Sequence, residues 1–226
     1  MMESKCLIVT VAILCGGQGR RLGYRDKASL VFRGTRLIDR ISELVKCISD
    51  DVFWVEKVPG QIKSLPHQVY ARIHDHPIGG ASGGVIAALR HASIQSHQNE
   101  EDHRSWCLVL SCDLPLITEV EILALADQAS KAPPHLSCIT FSEGPHPQPL
   151  CGIWRPATHG PLLAHIQAGG RLSSFVREYG TLLPIEQSSE QTHGHEALSP
   201  LFNLNTLEDL ERLDRFEQRY ASSQRS

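Results

Sequence analysis

Short apolar runs alternate with amphipathic segments along most of the chain. Residues 7–14 and 106–110 form apolar runs without regular polar alternation, a pattern that predicts strands buried on both faces, as in a parallel sheet. Shorter apolar segments predict further strands. These segments are residues 52–55, 69–73, 136–141 and 150–154.

Helical spacing of apolar side chains separates these runs. In residues 36–48, Leu37, Ile41, Leu44 and Ile48 fall on one face of a predicted helix. Further helices are predicted at residues 85–94, 118–130, 158–168 and 172–178, and from residue 206 onward.

Capping residues mark the start of two of these helices. Thr118 is followed three residues later by Glu121, which predicts a capping box, and Thr206 with Asp209 predicts a second helix start. Residues 186–200 are polar and lack periodicity, so we predict a mobile loop there.

Strands that alternate with helices from end to end predict right-handed βαβ crossovers. We therefore expect a single-domain, Rossmann-like α/β fold in which helices cover both faces of a mostly parallel sheet, as a three-layer α/β/α arrangement. No internal repeat or linker divides the chain, so one domain is expected over residues 1–220, with a polar tail over 221–226. Ligands of such sheets bind beyond the carboxyl ends of the strands, which here selects the loops after Leu14 and Leu110.

Charge, hydropathy and cysteine content limit the classes of protein to which the chain can belong. The chain has 226 residues and a formal net charge of −3, so it lacks the basic excess of a nucleic-acid-binding domain. The apolar run at residues 6–14 is too short to span a bilayer. Seven cysteines without CxxC spacing favour a reducing compartment. We expect a cytoplasmic protein that binds neither nucleic acid nor membrane.

The loop after Leu14 combines glycines with positive charge. Its glycines are Gly16, Gly17, Gly19 and Gly23, and its cations are Arg20, Arg21, Arg25 and Lys27. Glycines let the backbone approach a ligand closely and turn N–H groups toward an anion, so the loop suits a polyphosphate. The alternative interpretation is a glycine-rich turn with a solvated basic flank. A P-loop is excluded by spacing, and a dinucleotide-binding fingerprint is disfavoured because Leu22 stands where glycine or alanine is needed.

Two aspartates follow predicted strands at the same edge of the sheet. Asp113 lies three residues after the strand at 106–110, and Asp75 lies two residues after the strand at 69–73. A carboxylate in this position can hold Mg²⁺ beside a nucleotide triphosphate, which needs a divalent ion to neutralise its oxygens. Each aspartate alone is also compatible with a turn or a helix cap.

Five segments resemble the MobA-like nucleotidyltransferase family, and they occur in family order over nearly the whole chain. The first runs from Leu14 through Cys15, Gly16, Gly17, Gly19, Arg21, Leu22 and Gly23 to Asp26 and Lys27. The others are the run from Phe32 to Arg40, Asp75 with the glycine-rich turn at residues 79–84, the run Cys112-Asp113-Leu114-Pro115, and the run from Asn203 to Leu210.

The resemblance implies a nucleotidyltransferase fold and a Mg²⁺-dependent enzyme that transfers GMP from GTP to the phosphate of the molybdopterin cofactor and releases pyrophosphate. It implies that Lys27 neutralises the triphosphate and that Asp113 binds Mg²⁺ beside the α-phosphate. The implied nucleotide contacts are Leu14, Cys15, Gly16, Gly17, Arg21, Lys27, Asp75 and Asp113. Molybdoenzymes or their chaperones are further expected partners.

The acceptor side of the site is less determined by the sequence. Relatives carry a proline-containing turn near the acceptor, which here corresponds to Pro147, and a plain proline-rich turn is the alternative. Arg171 suits a bidentate contact to an anionic substrate, or it is a solvated surface arginine. Asn205 either lines the site or serves the start of the last helix.

Other functions remain open at this point. The same cofactor could receive CMP instead of GMP, since Val55 and Glu56 stand where relatives often supply an asparagine to the nucleotide. Another small phosphorylated acceptor is a further alternative. A non-catalytic nucleotide-binding protein is a remote alternative, because such a protein would not need the metal ligand Asp113.

Overall fold

The computed structural model describes residues 8–15, 27–57, 71–96, 105–185 and 198–223. Its strands are β1 (Ile8–Leu14), β2 (Val31–Phe32), β3 (Thr35–Arg36), β4 (Val52–Glu56), β5 (Ala71–His74), β6 (Ser105–Ser111), β7 (Cys138–Glu143), β8 (His146–Trp154) and β9 (Gly180–Pro184). Its α-helices are α1 (Leu37–Leu44), α2 (Gly80–Ser96), α3 (Glu119–Lys131), α4 (His159–Gln167), α5 (Leu172–Tyr179) and α6 (Leu207–Ser223).

Seven of these strands form one sheet in the order β5-β4-β1-β6-β8-β7-β9. All neighbouring pairs are parallel except those made by β8, which runs antiparallel to both β6 and β7. The expected mostly parallel sheet is therefore confirmed. Strands β2 and β3 form a separate two-stranded hairpin.

Helices cover both faces of the sheet, as predicted for a three-layer α/β/α domain. One face packs against α1 and α3 through Ile38, Ile41, Ile122 and Leu125. The opposite face packs against α2, α4 and α5, whose core residues include Ile86, Leu89, Leu162, Phe175 and Val176. A smaller cluster joins Leu213 of α6 to Phe32 of the hairpin. These layers fix the carboxyl ends of the central strands at one edge.

The structure corrects several predicted elements. Helix α2 begins at Gly80, five residues before the predicted start, so most of the glycine-rich stretch is helical. The segment that begins at His146 is the first half of β8 and not a proline-rich turn. Strand β9 and the β2–β3 hairpin were not predicted. Helix α6 continues to Ser223, into the predicted tail.

Two of the sequence predictions lie outside the described residues. They concern Gly16, Gly17 and Arg21 in the first loop and most of the predicted loop at 186–200. The six cysteines in the described part of the chain are free thiols. Within the same ranges, none of the helices has the length and apolar character needed to cross a membrane.

Candidate functional site

The loops that follow β1, β4, β5 and β6 begin at the same edge of the sheet because these strands are parallel neighbours. Backbone hydrogen bonds join the loops just beyond the strands. The N–H of Cys112 donates to the carbonyl of Leu14 at 3.1 Å, and the N–H of Cys15 donates to that of Val55 at 2.9 Å. The N–H of Asp75 donates to the carbonyl of Glu56 at 2.9 Å. These bonds hold the backbones at the starts of the loops next to one another.

Lys27 and Asp113 meet at this edge although 86 positions separate them in the sequence. The ammonium Nζ of Lys27 lies 2.9 Å from Oδ2 of Asp113, and both side chains are largely buried. The same ammonium donates to Oδ1 of Asn205 at 2.6 Å. The structure therefore brings together Lys27 and Asp113, which the sequence placed in one site, and Asn205, for which the sequence left a helix-start role as the alternative.

The carboxylate of Asp113 is fixed from two sides. The hydroxyl of Ser111, at the end of β6, donates to Oδ1 of Asp113 at 2.5 Å. The backbone N–H of Leu204 donates to the Asp113 carbonyl at 3.0 Å, which ties the segment before α6 to the end of β6. With Oδ1 held by Ser111, Oδ2 is the oxygen that faces the ammonium.

Asn205 is positioned by the start of α6. Its backbone N–H donates to Oδ2 of Asp209 at 2.9 Å, and the N–H of Thr206 donates to the same oxygen at 2.8 Å. In return, the N–H of Asp209 donates to Oγ1 of Thr206 at 3.1 Å. This reciprocal cap confirms the predicted helix start and holds the residue that contacts Lys27.

A cavity of about 270 Å³ adjoins this ion pair. Its walls come from the ends of β1, β4 and β6, the first turns of α2 and the first half of β8. The lining residues are Leu14, Val55, Lys57, Asp75, Gly80, Ala81, Gly84, Ser111 and Leu150. Ser111 lines this cavity and also donates a hydrogen bond to Asp113, so this residue connects the cavity with the ion pair.

Asp75 lies against the first turns of α2, where the glycines allow a close approach. A Cβ at Gly83 would lie 2.4 Å from Oδ1 of Asp75, a separation that no real Cβ tolerates. A Cβ at Gly84 would lie 3.3 Å from the side chain of Leu14. The glycine-rich stretch thus lets a helix pack directly on two residues of the cavity.

The environment of Asp75 disfavours its charge. Burial raises the pKa of this carboxyl above its ordinary value, opposed in part by a hydrogen bond from the backbone of His76 and by the positive charge of Lys57. Its Oδ1 is buried and has no hydrogen-bond partner in the described structure. Carboxyl groups whose pKa is shifted by burial inside a cleft are candidates for functional sites.

The other predicted nucleotide contacts have different positions. Leu14 and Cys15 are buried at the end of β1, and the Leu14 carbonyl and the Cys15 N–H are used by neighbouring strands and loops. Leu14 faces the cavity with its side chain. Gly16, Gly17 and Arg21 lie outside the described residues, so their nucleotide contacts stay predictions.

The three predicted acceptor contacts are not brought together. Pro147 is buried in β8, paired with Ser142 of β7. Arg171 is exposed at the start of α5, and its backbone N–H donates to Ser174 Oγ at 3.0 Å. Asn205 instead contacts Lys27. In the described ranges no hydrogen bond or ion pair joins Pro147 or Arg171 to the Lys27–Asp113 pair, and their acceptor roles stay predictions.

Sequence reasoning missed two residues of this site, Ser111 and Lys57. Ser111 is a polar residue at the end of an apolar strand and two positions before Asp113, which is a usable signal. Lys57 directly follows β4, but from the sequence alone a lone lysine at this position is indistinguishable from a solvated surface lysine.

Comparisons with known proteins agree with this architecture. A family profile described as "MobA-like NTP transferase domain" matches residues 11–182. The chain is 33% identical over 207 residues to "Molybdenum cofactor guanylyltransferase" of Pseudomonas syringae pv. syringae, covering 87% of this chain and 89% of that protein. It is 30% identical over 207 residues to "Probable molybdenum cofactor guanylyltransferase" of Trichormus variabilis, covering 89% and 88%.

A solved structure shares the fold. The crystal structure of molybdopterin-guanine dinucleotide biosynthesis protein A from Archaeoglobus fulgidus superposes with a TM-score of 0.69 at 24% identity. The similarity covers 93% of this chain and 99% of that one. The fold is therefore shared along almost the full length of both chains.

Proposed function

Because the chain belongs to the MobA-like NTP transferase family, we propose that it transfers GMP from GTP to the terminal phosphate of the molybdopterin cofactor and releases pyrophosphate. The observation that carries the proposal is the meeting of Lys27 and Asp113 beside a cavity at the carboxyl ends of parallel strands. Nucleotides bind at this edge in open α/β sheets. The names of the curated relatives support guanine as the base and molybdopterin as the acceptor.

The transfer reaction depends on positioning of the substrates and neutralisation of their charge more than on proton transfer. The attacking group is a phosphate oxygen of the acceptor, which is already an anion, and pyrophosphate leaves from the α-phosphorus of GTP. Lys27 supplies a positive charge for the phosphates from a largely buried side chain. Asp75, Ser111 and Leu14 line the cavity that would receive the nucleoside.

The residues present fit a Mg²⁺ ion. Mg²⁺ is usually held by one or two protein carboxylates together with phosphates of the substrate. Asp113 offers one carboxylate whose Oδ2 already faces a cation. In the described ranges no group of three or more His, Cys, Asp or Glu residues could hold a metal, so the triphosphate would supply most ligands. When bound, the ion would neutralise the phosphate oxygens at the reacting centre.

The proposal includes the cell compartment and further partners. The free thiols of the described cysteines support a reducing compartment such as the cytoplasm. The product would be a dinucleotide form of the cofactor, and molybdoenzymes or their chaperones are the proposed recipients.

The first test compares nucleotides by thermal unfolding in the presence of Mg²⁺. GTP is expected to raise the melting temperature more than CTP or ATP, because a ligand at about 100 times its Kd stabilises the native state by about 2.7 kcal/mol. A larger shift with CTP would favour cytidylyl transfer to the same acceptor and would overturn the choice of guanine.

The second test measures pyrophosphate release with GTP, Mg²⁺ and molybdopterin. Asp113→Asn is expected to lower turnover by at least about 100-fold, since it removes a charge at the reacting centre. The matched control is Asp127→Asn, which removes one exposed charge on α3. Full turnover by a folded Asp113→Asn variant contradicts the proposed role of this residue.

A further inference from the structure

Two hard oxygens converge on one cation at the candidate site. Oδ2 of Asp113 lies 2.9 Å from the Lys27 ammonium, and Oδ1 of Asn205 lies 2.6 Å from it. One oxygen belongs to a carboxylate after β6, and the other belongs to an amide that precedes α6. Oxygens of both kinds are ligands that a divalent cation accepts.

Both oxygens belong to residues that are already held in place in the ligand-free protein. The Asp113 carboxylate is oriented by the Ser111 hydroxyl, and the Asn205 backbone is held by Asp209 at the cap of α6. The N–H of Leu204 on the Asp113 carbonyl links the two segments. The pair is therefore a preformed cation position, with the lysine as its present occupant.

We propose that Asp113 and Asn205 form one cation position, which the Lys27 ammonium occupies until a divalent ion arrives with the nucleotide. This rests on the proposed function, because Lys27 must then release Asp113 and turn to the triphosphate. Asn205 is a residue of the cation position in this scheme and not an acceptor contact. The lysine acts as an internal counterion that keeps the carboxylate paired in the nucleotide-free protein.

The arrangement sets an order of binding. A free divalent ion must displace an ammonium that already contacts both oxygens. It brings no new acceptor for the hydrogen bonds that the Lys27 ammonium then loses. An ion bound to a triphosphate brings phosphate oxygens, to which a lysine ammonium binds well. The protein therefore takes up the metal together with the nucleotide and discriminates against the free ion.

The test is a titration of the nucleotide-free, full-length chain with Mn²⁺, followed by electron paramagnetic resonance of the unbound ion. Lys27→Met is expected to bind Mn²⁺ at least about tenfold more tightly than the wild type, which corresponds to about 1.4 kcal/mol. Lys27→Arg keeps the charge and is expected to stay as weak as the wild type. Adding Asn205→Ala or Asp113→Asn to Lys27→Met is expected to remove the gain.

The matched control is Lys46→Met, which removes an ammonium that pairs with Glu43 on the outside of α1. It is expected to leave the Mn²⁺ affinity unchanged. Equal Mn²⁺ affinities in the wild type and in Lys27→Met, with both proteins folded by circular dichroism, overturn the proposal, as does an undiminished gain after Asn205→Ala. Lys27→Gln serves as a second neutral variant if Lys27→Met does not fold.

The titration contains no nucleotide and no acceptor, so its outcome separates this proposal from the proposed function. Tight Mn²⁺ binding by Lys27→Met without any pyrophosphate release by the wild type leaves the cation position intact and removes nucleotidyl transfer. If the wild type releases pyrophosphate but Lys27→Met binds Mn²⁺ no more tightly than the wild type, the proposed function stands and the cation position is overturned.

Discussion

The carboxylate of Asp75 lies in an energetically unfavourable environment at the site. One of its oxygens is buried without a partner in the described structure, and burial raises its pKa. A buried, unsatisfied oxygen destabilises the folded state by roughly 1–3 kcal/mol. Because Asp75 lines the cavity, a bound ligand could supply the partner that this oxygen lacks.

The raised pKa of Asp75 gives a pH-dependent prediction. An acid whose folded-state pKa is raised favours folding at pH values below its unfolded pKa, and this contribution is lost as the pH rises through the folded value. Asp75→Asn is therefore expected to increase the free energy of unfolding at pH 7. Its advantage over the wild type should shrink as the pH falls toward about 4, in urea titrations at several pH values.

The same variant should bind nucleotide less well, so GTP should raise its melting temperature less than that of the wild type. Asp214→Asn, at an exposed position of α6, makes the same change in net charge and is the control. A variant that is less stable than the wild type at pH 7 contradicts the account of Asp75.

At the scale of residues, the sequence was informative where chemistry is tied to a motif. Lys27, Asp113 and Asn205 lie in segments with a family pattern, and the structure places them in contact. Ser111 and Lys57 carry no such pattern, because their roles depend on which strand ends become neighbours. The exclusion of Pro147 and Arg171 from the ion-pair cluster likewise depends on packing that a linear pattern does not contain.

At the scale of elements, two helix caps of the same design begin α3 and α6. In α3, the N–H of Thr118 donates to the Glu121 carboxylate at 2.9 Å, as the sequence predicted. In α6, Asp209 plays the corresponding part for Thr206 and also for Asn205. Only the second cap is bonded directly to a residue of the ion-pair cluster.

This difference predicts separate effects on stability and activity. Asp209→Ala and Glu121→Ala should each lower the free energy of unfolding by about 1 kcal/mol, because each leaves a helix start without its acceptor. Only Asp209→Ala should also lower kcat/KM for GTP, since it frees the backbone of Asn205. Chemical unfolding and steady-state kinetics on both variants provide the comparison. Equal kinetic losses in both variants would show that the cap does not act through Asn205.

Elements were predictable where their signal is local. Helix α3 has a cap and a clear apolar face, and its predicted and observed limits differ by one residue at each end. Helix α2 begins in glycines, which disfavour helix formation, so its start was not predicted. Glycines are needed there because Asp75 and Leu14 approach the helix closely. Strand β9 is short and pairs with β7, about 40 residues away in the sequence. Its formation therefore depends on a distant partner, which the local sequence does not reveal.

At the scale of the whole molecule, one sheet carries two cores. Trp54 and Trp106 are buried on the face covered by α1 and α3, and Trp154 is buried on the face covered by α2, α4 and α5. Since every strand of the sheet contributes to a shared hydrogen-bonded layer, neither core can lose its packing alone. The expected single domain should therefore unfold as one cooperative unit.

Tryptophan variants test this cooperativity. Trp154→Phe leaves emission from the α1/α3 face, and the double variant Trp54→Phe/Trp106→Phe leaves emission from the other face. Phenylalanine removes indole N–H groups, of which those of Trp54 and Trp154 lack acceptors in the described structure. In each variant, the urea midpoints from fluorescence and from far-ultraviolet circular dichroism should coincide. Separate midpoints within one variant would indicate two independently folding parts.

The two outer strands of the sheet, β5 and β9, also affect how copies of the protein meet in concentrated solution. Arg72 and His74 on β5 are exposed, and β9 ends at Pro184, which has no N–H to offer a further strand. Charged side chains and proline at sheet borders oppose strand addition by another molecule. We therefore expect weak edge-to-edge association through both borders of the described sheet.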